Sequence, residues 1–328
     1  MRKLISFILL LTVFSVKAQQ LPQYSMVVLN KSLYNPAYIG STEGMSLGLG
    51  GRWQTVGFGG EPRSAFLTFE KSLNIKEKER INPGIRISSP IPESEVLKKN
   101  KFSHGVGGQL VMDKTGAFGS FQLAGLYGAH YQVNKLLKVS GGVRLSWSNN
   151  SFDAAKAVVL NPSDPAAVYQ GGDAEYDEFI AGKWNANYIH FGAGLNVQYQ
   201  NFFIGVSANQ LSKGAIRFGS SNVNFDPKVH TFLITGYNFE INPEFKLQTT
   251  LILKSMQPAP ASFEFNAMAS IGESLFAGLN YHHKASAGFF VGFNVNEHFR
   301  VAYALDVPTT RLNKFSWGGH ELSLNYKF

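Results

Sequence analysis

Cysteine is absent from the 328 residues. That excludes disulfide stapling, thiolate zinc and iron–sulfur sites, thiol nucleophiles and a lipid anchor built on an N-terminal Cys. Charge is scarce too: Asp, Glu, Lys and Arg make up 16% of the chain, against roughly a quarter in an ordinary globular domain. No block of Lys and Arg alternates with aromatics, which speaks against a nucleic-acid partner. Beyond the first 18 residues no apolar run approaches the roughly 20 residues of a membrane-spanning helix, and no long segment keeps a 3.6-residue period. Metalloprotease helix, nucleotide loop, nucleophile elbow and paired-carboxylate signatures are missing. The strings Gly48-Leu49-Gly50-Gly51 and Gly105-Val106-Gly107-Gly108 superficially suggest phosphate cradles, but each lies within a strand pattern and opens no helix. What the chain has in quantity is Gly (33), Phe (27) and an apolar fraction of 44%.

The first residues read as an export signal. Met1-Arg2-Lys3 is cationic, Leu4 to Phe14 is apolar, and Val16-Lys17-Ala18 is a small-residue cleavage box. Cleavage after Ala18 takes Lys+Arg from 30 to 27 against 22 acidic residues, and the net charge from +8 to +5.

From about Gly44 to the last residue the pattern alternates with period two, which predicts an all-β chain. Between Lys138 and Trp147, Val139, Val143, Leu145 and Trp147 oppose Lys138, Ser140, Arg144 and Ser146. Leu322, Leu324, Tyr326 and Phe328 oppose Glu321, Ser323, Asn325 and Lys327. A soluble sandwich also alternates, so strand length and connections decide. Strands of about 9 to 12 residues suit a tilted membrane span, where sandwich strands run nearer 5 or 6. Fourteen strands are expected: 44–55, 62–72, 104–113, 119–133, 136–148, 187–200, 202–209, 228–241, 244–255, 260–271, 274–283, 285–295, 298–306 and 317–328. Tight turns at Asn134-Lys135, Gln200-Asn201, Asn242-Pro243, 272–274 and 296–298 alternate with longer loops, the largest at 149–186 and 210–227. That parity predicts a transmembrane antiparallel β-barrel with both termini in the periplasm. The exception is the charged, Pro-containing stretch 73–103, which parity places in the periplasm as a partner-facing insert, a plain mobile loop or one further hairpin.

Three regions follow: a signal peptide (1–18), a segment lining or plugging the lumen (19–43) and the outer-membrane barrel (44–328). A lipid-facing Arg or Lys at mid-bilayer costs roughly 2–4 kcal/mol, so Lys138, Arg144, Lys246, Glu264 and Arg300 are read as lumen-facing. Glu321 projects inward on the same register and is expected to pair with an Arg or Lys of a neighbouring strand. About eight strands fill their own interior with side chains and 16 to 18 leave a channel. Fourteen leave a space, for which 19–43, with Tyr24, Tyr34, Pro36 and Tyr38, is the occupant. Strand glycines Gly192, Gly194, Gly205, Gly278 and Gly292 fall where curvature or a close internal partner needs them. The eight His residues scatter. His282-His283 would need further ligands to hold a metal, since neighbours in a strand point to opposite faces, so neither metal nor cofactor is expected. Tyr169, Tyr176 and Trp184 in the longest loop are candidate partner-binding residues.

Taken in order, several short motifs resemble the PorP/SprF family of outer-membrane barrels from the type IX secretion and gliding machinery of Bacteroidetes. Gln23-Tyr24-Ser25 and Leu33-Tyr34-Asn35-Pro36-Ala37-Tyr38-Ile39-Gly40-Ser41 resemble the family's opening Q-[FY]-S … Y-N-P-A-Y-x-G-S. Arg52-Trp53-Gln54-Thr55-Val56-Gly57 through Pro62 is similar to its R-x-Q-W-x-G … P segment, with Trp displaced. Asp113-Lys114-Thr115-Gly116 resembles its D-x-x-G turn. Tyr303 to Asp306 resembles its Y-x-x-D strand, and Gly318-Gly319-His320-Glu321 to Phe328 its closing strand. The resemblance implies a non-enzymatic component that exports, or holds at the surface, large proteins carrying type IX C-terminal signals, often adhesins. It also implies contact with periplasmic machinery and with outer-membrane lipid. A diffusion or small-molecule uptake channel is the alternative. A barrel hydrolase, needing a His such as His320, comes third.

Overall fold

The structure is a computed structural model and describes residues 24–57, 62–73, 101–153, 156, 160–161, 164–168, 183–211, 216–218, 228–256 and 259–328. The strands are β1 Met45–Trp53, β2 Arg63–Ser72, β3 Phe102–Thr115, β4 Phe118–Gln132, β5 Leu137–Asp153, β6 Leu160–Asn161, β7 Asp164–Val168, β8 Lys183–Tyr199 and β9 Phe202–Asn209. They continue with β10 Ile216–Phe218, β11 His230–Glu240, β12 Phe245–Met256, β13 Ala259–Ile271, β14 Leu275–His282, β15 Ser286–Asn294, β16 Phe299–Pro308 and β17 Gly319–Lys327. Fourteen of them, all but β6, β7 and β10, form one antiparallel ring. Sequential neighbours pair throughout, β8 pairs β9, and β1 pairs β17 to close it. No described helix is long and apolar enough to cross a membrane.

Three of the five short turns on one end are made by the same device. Asn134 Oδ1 accepts from the amides of Leu136 (2.8 Å) and Leu137 (2.9 Å). Asn242 does the same with Glu244 and Phe245, and Asn296 with His298 and Phe299. An Asn side chain that imitates a backbone turn reverses the strand with few residues. The long β2–β3 connection stands on that same end, while the opposite end carries the long connections β1–β2, β5–β8, β9–β11 and β16–β17 beside tight turns at β3–β4 and β14–β15.

There the structure departs from the sequence expectation. The β5–β8 ladder does not stop at Asn149 but continues through Asn149↔Asn187 to Asp153↔Lys183, giving two strands of 17 residues. Trp184 therefore stands in β8, its backbone opposite Phe152, rather than in a loop. Polar Asn and Ser residues in this stretch carry no lipid-face signal, yet their backbones still pair. Where β9 stops at Gly192↔Asn209, β10 takes over the β8 edge at Asn187–Ile189. Within the former loop β6 and β7 make a small separate hairpin. Tyr169, Tyr176, residues 1–23 and most of the 73–103 insert lie outside the described residues.

The alternation sorts cleanly into two environments. Leu49, Leu123, Val143, Leu145, Phe191 and Leu195 are exposed on the outer wall, while Ser140, Arg144, Ser146 and His190 between them are buried inside. Tyr131, Tyr199, Tyr237 and Tyr326 face outward near the short-turn end, and Trp53, Trp147, Tyr281 and Tyr303 towards the other. These are the two aromatic girdles of a membrane barrel, with an apolar band between them. Leu195 is 59% exposed in that band. Leu195→Arg is expected to cost about 2–4 kcal/mol, seen as a lower urea midpoint for unfolding from lipid bilayers.

Candidate functional site

The lumen is occupied by the chain's own segment from Tyr24 to Ser41. With no strand to pair with, this segment folds into three single 3₁₀ turns, Val27–Leu29, Lys31–Leu33 and Pro36–Tyr38. The last is set by its sequence: the Asn35 side chain accepts from the Ala37 amide at 2.9 Å, and Pro36 occupies the first helical position. The segment runs from the long-loop end, where Ser25 lies beside Arg52, to the short-turn end. There Gly40 lies against Gly105, and the chain enters β1.

Its middle sits in a polar, glycine-lined seat. Asn35 Nδ2 donates to the carbonyls of Leu195 (3.1 Å) and Val206 (3.3 Å). The Tyr34 carbonyl accepts from Ser207 Oγ (2.8 Å) and Asn209 Nδ2 (3.1 Å). Arg144 Nη2 donates to the carbonyls of Ser32 and Leu33, both at 2.9 Å, and to Gln109 Oε1 at 2.5 Å. His130 Nε2 meets the Ile39 carbonyl at 2.8 Å. A Cβ on Gly142 would overlap Pro36 and one on Gly194 would overlap Asn35; on Gly128 and Gly205 it would stand 2.6 Å and 2.9 Å from Ile39 O and Asn35 Nδ2. The wall is glycine there because the Asn-Pro-Ala turn lies directly against the strand backbone.

Apolar contacts complete the filling. Tyr24, Val27, Leu33 and Tyr34 cluster with inward Phe66, Phe203, Phe232, Ile234 and Ile252. Met26 and Val28 pack on Phe276, Phe290, Ala302 and Ala304. The Tyr34 ring meets Phe232 edge-on at 5.2 Å, and its hydroxyl accepts from the Tyr24 amide at 3.2 Å.

Two buried charge clusters fix this arrangement. In the first, Arg52 on β1 pairs with Asp306 on β16 (2.7 Å) and Glu321 on β17 (3.4 Å), all three nearly inaccessible. Glu321 accepts from the amides of Ser25 (2.6 Å) and Met26 (3.2 Å). Ser25 Oγ bridges Arg52 and Asp306, and Asn280 Nδ2 donates to Asp306 at 2.6 Å. One guanidinium thus faces two carboxylates, and amide, hydroxyl and carboxamide donors stabilise the excess negative charge. In the second cluster, Glu264 is bonded to Lys254 and lies 2.9 Å from His282 Nδ1. The Lys254 ammonium stands 4.9 Å over the Tyr34 ring.

The residues singled out from sequence divide accordingly. Arg52, Asp306 and Glu321 come together at the first cluster, and Tyr34, Asn35 and Pro36 at the seat with Arg144. Glu264 faces the lumen, with Lys254 and His282 as its partners. Lys138, Lys246 and Arg300 lie on the inner face near the short-turn end. There Lys138 reaches the Ser41 carbonyl at 3.4 Å, Lys246 is exposed, and Arg300 bonds Asn294 at 2.7 Å. Trp53, Tyr303 and His320 face outward, His320 Nδ1 lying 2.6 Å from the Tyr303 hydroxyl.

Gly57 and Gly318, both at positive φ, shape the joined outer turns, where Val56 and Trp317 exchange backbone bonds with their partners. The Pro62 carbonyl accepts from Gln54, Gly116 makes the β3–β4 turn, and Asp113 accepts from Ser64 Oγ at 2.6 Å. Phe328 closes the ring through its amide to the Met45 carbonyl. Sequence reading passed over Lys254, although a charge at an even position of β12, in step with Gln248 and Thr250, marks it as inward. Among the described residues no group of three His, Cys, Asp or Glu is placed to hold a metal.

A closed fourteen-strand ring with an apolar outer band, two aromatic girdles and an occupied lumen defines an outer-membrane β-barrel. Among solved structures it is similar to the toluene transporter TbuX of Ralstonia pickettii, at 11% identity and a TM-score of 0.49, covering 93% of this chain and 94% of that one. A Pseudomonas aeruginosa FadL homologue (9%, 0.49, 94% and 95%) and Omp33 of Acinetobacter baumannii (9%, 0.44, 87% and 98%) are similar in the same way. At such scores nothing about ligands passes from them to this chain. No curated protein matches by sequence. The family model described as type IX secretion system membrane protein PorP/SprF matches residues 16–326. The chain belongs to that family.

Removing one partner of a buried ion pair typically costs about 3–5 kcal/mol. Arg52→Ala, which leaves two carboxylates buried without their cation, is expected to lower stability by that order, read as a lower temperature for the heat-induced mobility shift on gels. Gly194→Val is expected to unseat Asn35, read as faster hydrogen exchange across Ser32–Ile39.

Proposed function

We propose that the protein is a non-enzymatic component of the type IX secretion machinery. In this reading it supports export of large surface proteins, adhesins among them, and holds them by their C-terminal domains. The observation that carries the reading is the filled lumen: a barrel whose interior is packed from Ser25 to Gly40 works through its surfaces rather than its bore. The long-loop end, raised by the extensions of β5 and β8, offers a rigid rim to a secreted domain. The insert between β2 and β3 is the proposed contact with periplasmic machinery. Residues 1–18 are proposed to be cleaved after outward targeting, and surface adhesins held in this way fit a part in gliding motility.

Gentle purification of the tagged protein from native outer membranes, followed by mass spectrometry, tests this. Co-purification of a large surface protein, dependent on its C-terminal domain, is expected, as is negligible ion current in planar bilayers. Current should appear when 24–40 is deleted. Recovery of the barrel alone at native abundance, together with steady conductance of the unmodified protein, would overturn the proposal in favour of a diffusion channel.

A further inference from the structure

The loop joining β16 to β17, residues 309–318, presents a surface that neither the lumen nor the ring explains. Trp317 is 83% exposed, more than any other large apolar side chain among the described residues, and Phe315 (65%) and Leu312 (40%) are exposed with it. The loop is nevertheless held in place. The Trp317 amide donates to the Val56 carbonyl at 2.7 Å, and the Val56 amide donates to the Gly318 carbonyl at 2.9 Å. Ser316 Oγ donates to the same Val56 carbonyl at 3.2 Å and accepts from the Gly318 amide at 3.0 Å. The indole lies against Gly57, where a Cβ would stand 2.6 Å from its Cδ1. At its start the loop is tied to the β14–β15 turn, the Thr309 amide donating to the Ala285 carbonyl at 2.9 Å.

The charges of this surface have one sign. A single 3₁₀ turn, Arg311–Lys314, sets two exposed cations three residues apart, the spacing at which side chains of such a turn eclipse. The exposed Lys284 stands in the tethered β14–β15 turn. Residues 283–285 and 309–318 contain no Asp or Glu, and no described carboxylate pairs with any of the three cations. Aromatic side chains beside unpaired cations suit the boundary of an anionic lipid layer, where Trp prefers to sit and each cation adds attraction. The surface is also continuous with the lipid-facing wall, since Tyr303 and Val307 on the outward face of β16 lead directly into the loop. The long-loop end is the outer leaflet by the parity of the connections. We propose that this loop docks on a phosphorylated, acylated glycolipid of the outer leaflet. Lys284, Arg311 and Lys314 meet its phosphates, and Leu312, Phe315 and Trp317 rest on the first part of its acyl chains. Because the loop is already fixed by Val56 and Gly57, it loses little freedom on binding.

The test uses the full barrel in detergent. Lipid A bearing two phosphates is compared with the same acylated disaccharide lacking phosphate, and retained lipid is counted by native mass spectrometry. The wild type is expected to retain the phosphorylated lipid at least about tenfold better, less than three cations worth about fivefold each would supply. The triple variant Lys284→Gln/Arg311→Gln/Lys314→Gln should lose that preference, and Phe315→Ser/Trp317→Ser should retain both lipids several-fold less. The heat-induced mobility shift checks the fold of both variants; if either fails it, the wild-type comparison decides. Equal retention of the two lipids by the wild type, or an undiminished preference in the triple variant, would overturn the site. A preference abolished by inorganic phosphate and untouched by Phe315→Ser/Trp317→Ser would assign the cations to free phosphate and overturn the lipid. Unchanged lipid retention in both variants, with loss of a protein that co-purifies from native membranes, would make the loop a protein-docking surface instead.

Discussion

Hydrocarbon offers no hydrogen-bond partner to a peptide group, so a strand that enters a membrane must have both edges paired. Everything else in this molecule follows from that closure. Pairing β1 with β17 removes the last free edges, and period two then assigns every side chain either to lipid or to the interior. Because Arg144 and Val143 are neighbours, the choice of face is not negotiable. A slip of one residue would place the guanidinium in hydrocarbon and a valine against the carbonyls of Ser32 and Leu33.

Closure also creates a second requirement. A ring of fourteen strands is too wide for its own inward side chains to meet across the middle. The segment from Tyr24 to Ser41 supplies the missing material. Apolar clusters around Tyr34 and Met26 contribute burial. The 3₁₀ turns satisfy part of the segment's backbone, and strand side chains such as Arg144, Ser207 and Asn209 satisfy more. The glycines of β4, β5, β8 and β9 are the complement of that segment: the wall loses side chains where the Asn-Pro-Ala turn needs room.

The ring itself was legible in the sequence, because strand length, turn parity and the cost of lipid-facing charge all act locally along the chain. All fourteen expected strands correspond to ring strands, with ends shifted by a few residues. The inside was less legible. Phe203, Phe232, Ile234 and Ile252 point into the lumen, where alternation alone predicts polar groups, because they pack on Tyr34 and its neighbours rather than on water. Lys254 and His282 gather around Glu264 from the two strands that flank its own, so their meeting depends on the register of two hairpins and not on any fixed spacing along the chain. The extension of β5 and β8 was hidden for a different reason. Residues beyond the membrane need no lipid face, and Asn150, Ser151 and Asn185 therefore carry no apolar alternation although their backbones pair.

The first charge cluster shows why short motifs scattered over the chain belong to one device. Arg52 stands on the first strand, Glu321 on the last, and Asp306 on the strand before it, so the cluster straddles the seam where the ring closes. Ser25 and Met26 place two amides on Glu321 at that same point. Without the segment, the seam would hold two carboxylates against one cation with fewer donors to offset them. Without closure, Ser25 would face half a site. Seating the segment and sealing the barrel therefore stabilise each other. The electrostatic balance at the seam makes an occupied lumen part of the closed state rather than an addition to it.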